Sequence, residues 1–122
     1  MLRVGVPDAR FLAMVGSLAE VEQAHAADYT SFSVRGKRFG YFWPRTHTAG
    51  LKQTISEQIA LVAERPDVFE VQFTSGGFGW VVVYLERIEA DELGELLYEA
   101  WLLSAPESLA EDHPLSSAFT AT

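Results

Sequence analysis

Four cationic side chains lie close together in an acidic chain, with aromatic residues among them. Residues 31–45, SFSVRGKRFGYFWPR, contain these four cations and five aromatic residues. Lys and Arg side chains bind phosphate groups, and aromatic rings stack on exposed bases. The stretch therefore has the composition of a surface that binds nucleic acid. The predicted phosphate contacts are Arg35, Lys37, Arg38 and Arg45.

Charge is unevenly distributed along the 122 residues, whose formal net charge is -8. Five of the nine Lys and Arg residues lie between Tyr29 and Ser56, where there is no acid, so four cations accompany all 17 acids elsewhere. Charges further apart than about 8 Å are largely screened in physiological salt, so a local cationic surface is compatible with a negative total. This distribution predicts DNA, or another acidic macromolecule, as the partner.

Two other interpretations explain the same stretch. An ordinary solvated hairpin tip, partly neutralised by the protein's own acids, needs no ligand. Alternatively, exposed aromatic rings form a patch that binds another protein, as in an adaptor or a chaperone. The rings predicted to be exposed are Phe42, which alternation places opposite the other aromatic residues of its strand, and Phe78, which lies between glycines. The sequence does not predict an oligomeric state.

Other residues that do chemistry in proteins have simpler explanations here. The chain has no cysteine, which excludes disulfides and thiolate metal sites. Its three histidines are too far apart in sequence for metal-ligand spacing. The stripe of Asp91, Glu95 and Glu99 is typical of a solvated helix face. We therefore predict a protein without catalytic residues, metal or cofactor, and not an enzyme.

The cations are predicted at the turn of a β-hairpin. The segments YTSFSV and RFGYFW both alternate in the manner of strands. A two-residue type II′ turn at Gly36 and Lys37 would set Arg35 opposite Arg38, and this pair of like charges would favour a nearby anion. The face that meets the helices is then predicted to carry Phe39, Tyr41 and Trp43.

The remaining elements predict one domain. Residues 8–22 have the apolar spacing of a helix capped by Asp8, and a capping box at Thr54 begins a second helix. LKQT, VFEVQFT and WVVVYL are predicted strands, and a last helix runs from Asp91 to about Leu103. The order α-β-β-β-α-β-β-α indicates an α+β fold, an antiparallel sheet with helices packed on it. We place the domain at residues 1–110 and a flexible tail at residues 111–122.

The motifs FSVRGKRFGYF, LKQTISEQ, ERPDVF, GWVVVYLERIEADELGELL and AWLLSAPESL follow one another as in the bacterial MmcQ/YjbR family, which this sequence resembles. The resemblance runs from about Leu12 to Leu109. It implies a compact α+β fold similar to the frataxin (CyaY) class and to small secretion chaperones. Members of the family are often labelled DNA-binding, and no catalytic residues carry over to this chain. The absence of cysteine and of a long apolar run predicts a cytoplasmic protein.

Overall fold

The structure is a computed structural model, and it describes residues 4–119. Within that range the sequence forms helices, strands and one 3₁₀ turn at Leu85–Arg87. The helices are α1 (Asp8–Gly16), α2 (Ile55–Glu64), α3 (Ala90–Leu102), α4 (Glu107–Asp112) and α5 (Leu115–Ala118). The strands are β1 (Val21–His25), β2 (Thr30–Val34), β3 (Lys37–Trp43), β4 (Thr48–Thr54), β5 (Phe69–Ser75) and β6 (Phe78–Tyr84). None of the described helices has the length and apolar character needed to cross a membrane.

The described strands make one antiparallel sheet in the order β1-β2-β3-β4-β6-β5. This confirms the predicted α+β class and the predicted order α-β-β-β-α-β-β-α. The structure adds β1 at one edge of the sheet, outside β2, and the short helices α4 and α5 after α3. The predicted last helix corresponds closely to α3.

The helices α1, α2 and α3 pack on one face of the sheet, which we call the helical face. The ring of Phe11 on α1 lies 6.1 Å from that of Phe32 and 5.7 Å from that of Phe42, measured between centroids. Trp101 on α3 is fully buried, and its indole N–H donates to the carbonyl oxygen of Ala19 at 3.0 Å. The Gln58 amide on α2 donates to the Trp80 carbonyl oxygen at 2.9 Å. The opposite side of the sheet is called the open face.

The hairpin turn differs from the predicted one. Arg35 and Gly36 have φ values of 50° and 80°, which is the left-handed pair of a type I′ turn. Val34 therefore pairs with Lys37, and Arg38 pairs with Ser33 rather than with Arg35. The predicted pairing of Arg35 with Arg38 is wrong, because the turn begins one residue earlier than expected.

A β-bulge in β3 reverses the predicted orientation of its aromatic residues. Phe32 pairs with Gly40 and Ser33 pairs with Arg38, so Phe39 is an extra residue in β3. Phe39 and Phe42 both point to the helical face, where Phe42 is only 4% exposed. The predicted exposure of Phe42 is therefore wrong. The face opposite the helices receives Tyr41 and Trp43.

The first helix is shorter than predicted, and its N-terminus is built differently. It ends at Gly16, not at residue 22, and the chain then turns into β1 with a φ of 56° at Glu20. Asp8 makes no capping hydrogen bond. Its carboxylate instead contacts the His47 imidazole in the loop between β3 and β4. The second helix begins as predicted, since the Thr54 hydroxyl accepts from the backbone N–H of Glu57 at 3.1 Å.

The stretch after residue 110 contains the end of α4 and the helix α5. It is tied to α3, because the Tyr98 hydroxyl donates to the carbonyl oxygen of His113 at 2.8 Å. The predicted domain boundary at residue 110 falls inside α4. Residues 120–122 lie outside the described residues, and the flexibility of the tail stays a prediction.

Candidate nucleic-acid interface

Arg35, one of the four predicted phosphate contacts, already holds a carboxylate. Its Nε lies 2.5 Å from Oε1 of Glu20, and its second terminal nitrogen lies 2.9 Å from Oε2. The hydrogen bond from Arg35 lowers the pKa of the Glu20 carboxyl. This two-point pair links the hairpin turn to the turn after α1 and keeps the guanidinium occupied.

Arg45 is separate from the hairpin turn. It follows the C-terminal end of β3, whereas Lys37 begins that strand, so a seven-residue strand of about 20 Å divides them. The terminal nitrogen of Arg45 lies 3.9 Å from the Asp28 carboxylate, and the two side chains are 88% and 76% exposed. An exposed pair of this kind is weak and is screened by salt. The structure therefore does not bring Arg45 together with the other predicted contacts.

Three other cationic residues lie in the region of Ser104, which is two residues beyond the end of α3. The Lys52 ammonium donates to the Ser104 hydroxyl at 2.9 Å, and that hydroxyl donates to the carbonyl oxygen of Arg38 at 3.5 Å. Lys37 is near enough to lower the pKa of Lys52. None of the three makes an ion pair with a carboxylate of residues 4–119. We call Lys37, Arg38 and Lys52 the cationic cluster.

Lys52 is the buried member of the cationic cluster, at 8% exposure. Burial, and then the charge of Lys37, lower the pKa of its ammonium. Two contacts partly replace the lost water. The ammonium lies 4.1 Å from the centroid of the Phe78 ring, and it sits by the carboxyl end of α3, where the helix dipole is negative. Phe78, predicted to protrude, is half-buried beside this ammonium.

Aromatic side chains cover the middle of the open face. Tyr41 is the centre of the group, and its ring centroid lies 5.7 Å from that of Tyr29, 5.6 Å from that of Trp43 and 5.5 Å from that of Trp80. Phe73 extends the group to β5, with its ring 5.3 Å from that of Trp80. The Tyr41 and Trp43 rings are nearly parallel, at 12°. We call Tyr29, Tyr41, Trp43, Phe73 and Trp80 the aromatic layer.

Arg38 joins the cationic cluster to the aromatic layer. Its guanidinium donates to the Tyr41 hydroxyl at 3.2 Å and lies 5.4 Å from the centroid of the Tyr41 ring. That hydrogen bond raises the pKa of Arg38. Positive charge and aromatic surface are therefore continuous on one side of the sheet. This is the arrangement that binds a charged backbone with attached rings.

The rest of the described chain offers a second, different recess. A cavity of about 550 Å³ lies between α1, α3 and α5, on the side away from the open face. Asp91 and Glu95 of the acidic stripe line it together with Arg10, and all three side chains are exposed. No group of three or more His, Cys, Asp or Glu residues within positions 4–119 is placed to hold a metal ion.

Comparison with known proteins gives the family. A sequence profile described as YjbR matches residues 16–103, which is most of the chain. The chain belongs to the YjbR family. Proteins of Mycobacterium bovis and Mycobacterium tuberculosis, both described only as uncharacterized, are 39% identical to it over 54 residues. The matched segment is 44% of this chain and 42% of each relative, so the similarity spans less than half of the relatives' length.

Sequence reasoning missed part of the YjbR chain's candidate interface. Lys52 belongs to the acid-free stretch, but the sequence does not indicate it as a phosphate contact. Ser104, which accepts a hydrogen bond from it, lies 52 residues further along the chain. Tyr41 and Trp43 were assigned to the helical face. The sequence of β3 gives no local signal for this, because pairing with β2 decides where the extra residue lies.

Proposed function

We propose that this YjbR-family protein binds nucleic acid, DNA in the first instance, weakly and through the cationic cluster at its first hairpin. The observation that carries the proposal is that Lys37, Arg38 and Lys52 lie in one region and make no ion pair with a carboxylate of residues 4–119. The Lys52 ammonium and the Arg38 backbone both bond to Ser104, and Lys37 lies near Lys52. Arg35 and Arg45, by contrast, each have an acidic neighbour within 4.0 Å. The proposed phosphate contacts are thus Lys37 and Arg38, which the sequence predicts, together with Lys52, which it does not.

A phosphate is the ligand that best fits the chemistry of this cluster. Burial, and then repulsion by Lys37, lower the pKa of Lys52, and an anion beside the two ammonium groups would relieve that repulsion. The Ser104 hydroxyl accepts from one of the three N–H groups of the Lys52 ammonium, and the ammonium keeps further N–H donors for an anion. Lys and Arg contacts of this kind supply sequence-independent affinity, so the proposal includes no base preference.

The proposal also concerns what the protein does not do and where it acts. We infer a non-enzymatic, cytoplasmic protein that needs no cofactor. The support comes from the sequence, which has no cysteine and gives Ser56 and Ser75 no histidine base with which to form a triad. A likeness to the frataxin class of folds is part of the same proposal and comes from the resemblance alone.

Titration of labelled DNA tests the proposal, with fluorescence anisotropy as the readout at low salt. We expect Lys37→Ala/Arg38→Ala to weaken binding at least about tenfold, because it removes two phosphate contacts. The matched control is Glu20→Gln/Arg35→Asn, which also changes two residues, one of them in the same hairpin turn, but leaves the net charge unaltered, and it should bind as the wild type does. Equal loss in both double variants, or no binding by the wild type, would contradict the proposal.

The second candidate function is a protein-interaction adaptor. Its predicted ring Phe42 is buried, but other apolar side chains are exposed along the edge strand β5 and on α2. These are Val71 at 57%, Phe73 at 39%, Ile55 at 39% and Ile59 at 63% exposure. An edge strand with exposed apolar residues is a site where another chain can add a strand. Such an interface would respond little to salt, which separates it from phosphate binding.

A further inference from the structure

We infer that the nucleic acid is single-stranded, and that its unpaired bases stack on the aromatic layer of the open face while its phosphates lie along the cationic cluster. The inference rests on the proposed function, and it adds the class of nucleic acid and a second set of contact residues. It follows from the position of the aromatic rings beside cations that have no carboxylate partner.

The aromatic layer is large enough for several bases. Its rings extend from Tyr29, just before β2, through β3 and β6 to Phe73 on β5. Neighbouring strands are about 4.8 Å apart, so the layer spans about 20 Å across the sheet. Single-strand-binding folds of similar size occupy about 4 nucleotides or more.

The rings of the layer differ in what they offer to a ligand. Trp80 is 6% exposed and lies under Tyr41 and Phe73, so it supports the others. Phe73 is 39% exposed, and Tyr29, Tyr41 and Trp43 are half-buried. Bases are therefore expected to stack on Trp43, Phe73 and the two tyrosines.

Pairing of bases decides between the two forms of nucleic acid. In a duplex the flat faces of the bases are covered by their neighbours, and only their edges are accessible in the grooves. The rings of the aromatic layer lie in the middle of the sheet face and cannot stack on paired bases, so a duplex would use the cations of the hairpin without the rings. A single strand exposes base faces to aromatic rings and phosphates to cations at the same time.

Charge complementarity favours a single strand over a second protein as the occupant. Arg38 reaches the aromatic layer through Tyr41, so the cations border the rings that would otherwise form an apolar docking site. An apolar partner would have to cover the exposed Arg38 guanidinium and remove its water, next to the buried charge of Lys52. Phosphates neutralise both charges instead.

Three labelled ligands test the inference: an oligothymidylate of about 12 nucleotides, a 12-base-pair duplex, and an abasic strand of the same length as the first. We expect the oligothymidylate to bind at least about tenfold more tightly than either of the others at equal salt. An oligouridylate arm distinguishes RNA from DNA. If the abasic strand or the duplex binds as tightly as the oligothymidylate, the inference is wrong although the proposed function stands. If no strand binds, the inference and the proposed function are both wrong, and another protein becomes the remaining candidate ligand of the open face.

Two variants locate the contacts. Trp43→Leu/Phe73→Leu keeps apolar side chains but removes two rings, and it should weaken oligothymidylate binding about tenfold or more while leaving abasic binding unchanged. The control is Phe119→Leu, which removes a half-buried ring at the cavity between α1, α3 and α5. Stacking should also quench the fluorescence of Trp43, and the quench should disappear in Trp43→Leu. Equal oligothymidylate affinity in the double variant and the control would overturn the assignment of these rings.

Discussion

Lys52 shows how one buried residue combines a structural cost with a functional role. A lysine at 8% exposure is unusual unless it is paired, and this one has a hydroxyl and an aromatic ring in place of a carboxylate. Those contacts offset part of the lost hydration but do not neutralise the charge. An external anion would complete the site. The protein therefore carries a destabilising feature at the place where we propose that it binds phosphate.

Replacing Lys52 tests this cost directly. Its pKa is lowered from the ordinary value of 10.5, so the folded state disfavours the protonated form. The charge therefore destabilises the fold below the folded-state pKa, and this penalty decreases as the pH rises toward the ordinary value. We expect Lys52→Met to raise the free energy of unfolding at pH 7 by about 1 kcal/mol, with a smaller gain near pH 10. Urea unfolding at both pH values measures it.

The control for that experiment is Arg45→Met, which changes an 88% exposed cation outside the cationic cluster. It should leave the free energy of unfolding nearly unchanged at both pH values, because no buried charge is removed. A loss of stability in Lys52→Met at both pH values would mean that the bond to Ser104 and the Phe78 contact more than offset the cost of burial.

Among the elements, β3 and β4 decide which aromatic residues face the ligand. The bulge at Phe39 turns Tyr41 and Trp43 onto the open face, and Gly50 in the neighbouring strand makes room for the Trp43 ring. A Cβ added to Gly50 would lie 2.9 Å from that ring and 2.4 Å from Oε1 of Gln72. Real Cβ atoms do not approach other atoms so closely. The aromatic layer thus depends on a residue without a side chain.

We expect Gly50→Ala to destabilise the fold by about 1–3 kcal/mol, because the new methyl group must displace Trp43 and Gln72. Urea unfolding measures the loss, and near-ultraviolet circular dichroism reports the change around Trp43. The control is Gly16→Ala at the end of α1, where nothing lies within 4 Å of the added Cβ. If both variants are equally stable, the Trp43 ring does not rest on Gly50.

How far the sequence predicts each element depends on the strength of its local signal. The capping box at Thr54 and the apolar spacing of α3 lie within a few residues of one another, and both helices were predicted closely. Strand β1 is not predicted because it is an edge strand. Four of its five residues are exposed, so its sequence does not alternate between apolar and polar residues. The bulge was missed because pairing with β2, not the sequence of β3, decides where the extra residue lies.

The candidate site was less predictable than the fold, for a reason of geometry. The acid-free stretch contains Lys37 and Arg38, and the structure places both at the start of β3, on one hairpin. Nothing local reveals that Glu20 binds Arg35 or that Ser104 reaches Lys52, because these contacts join residues 15 and 52 positions apart. The ion pair with Glu20 therefore removes Arg35 from the proposed contacts. The packing of Ser104 against Lys52 adds a contact that the sequence does not indicate.

At the scale of the whole molecule, the net charge of -8 opposes a polyanion. Screening limits this repulsion to about 8 Å at physiological salt. A ligand that comes close to the cationic cluster is therefore attracted by the cluster more than it is repelled by distant acids. Salt then has two opposite effects, because it screens repulsion from the distant acids and competes for the phosphates at the cluster. Counterion release at the contacts dominates once the strand is bound.

The salt dependence therefore counts the cations that contact phosphates. A single strand loses affinity with a log-log slope of about -0.7 for each phosphate neutralised, so three cations predict a slope of about -2. In Glu20→Gln the neighbouring Arg35 loses its carboxylate and should become a fourth contact, which steepens the slope to about -3. Titrations of the oligothymidylate at several salt concentrations, for wild type and variant, measure both values. A slope near zero would instead identify an apolar interface, and an unchanged slope in Glu20→Gln would place the hairpin turn outside the path of the strand.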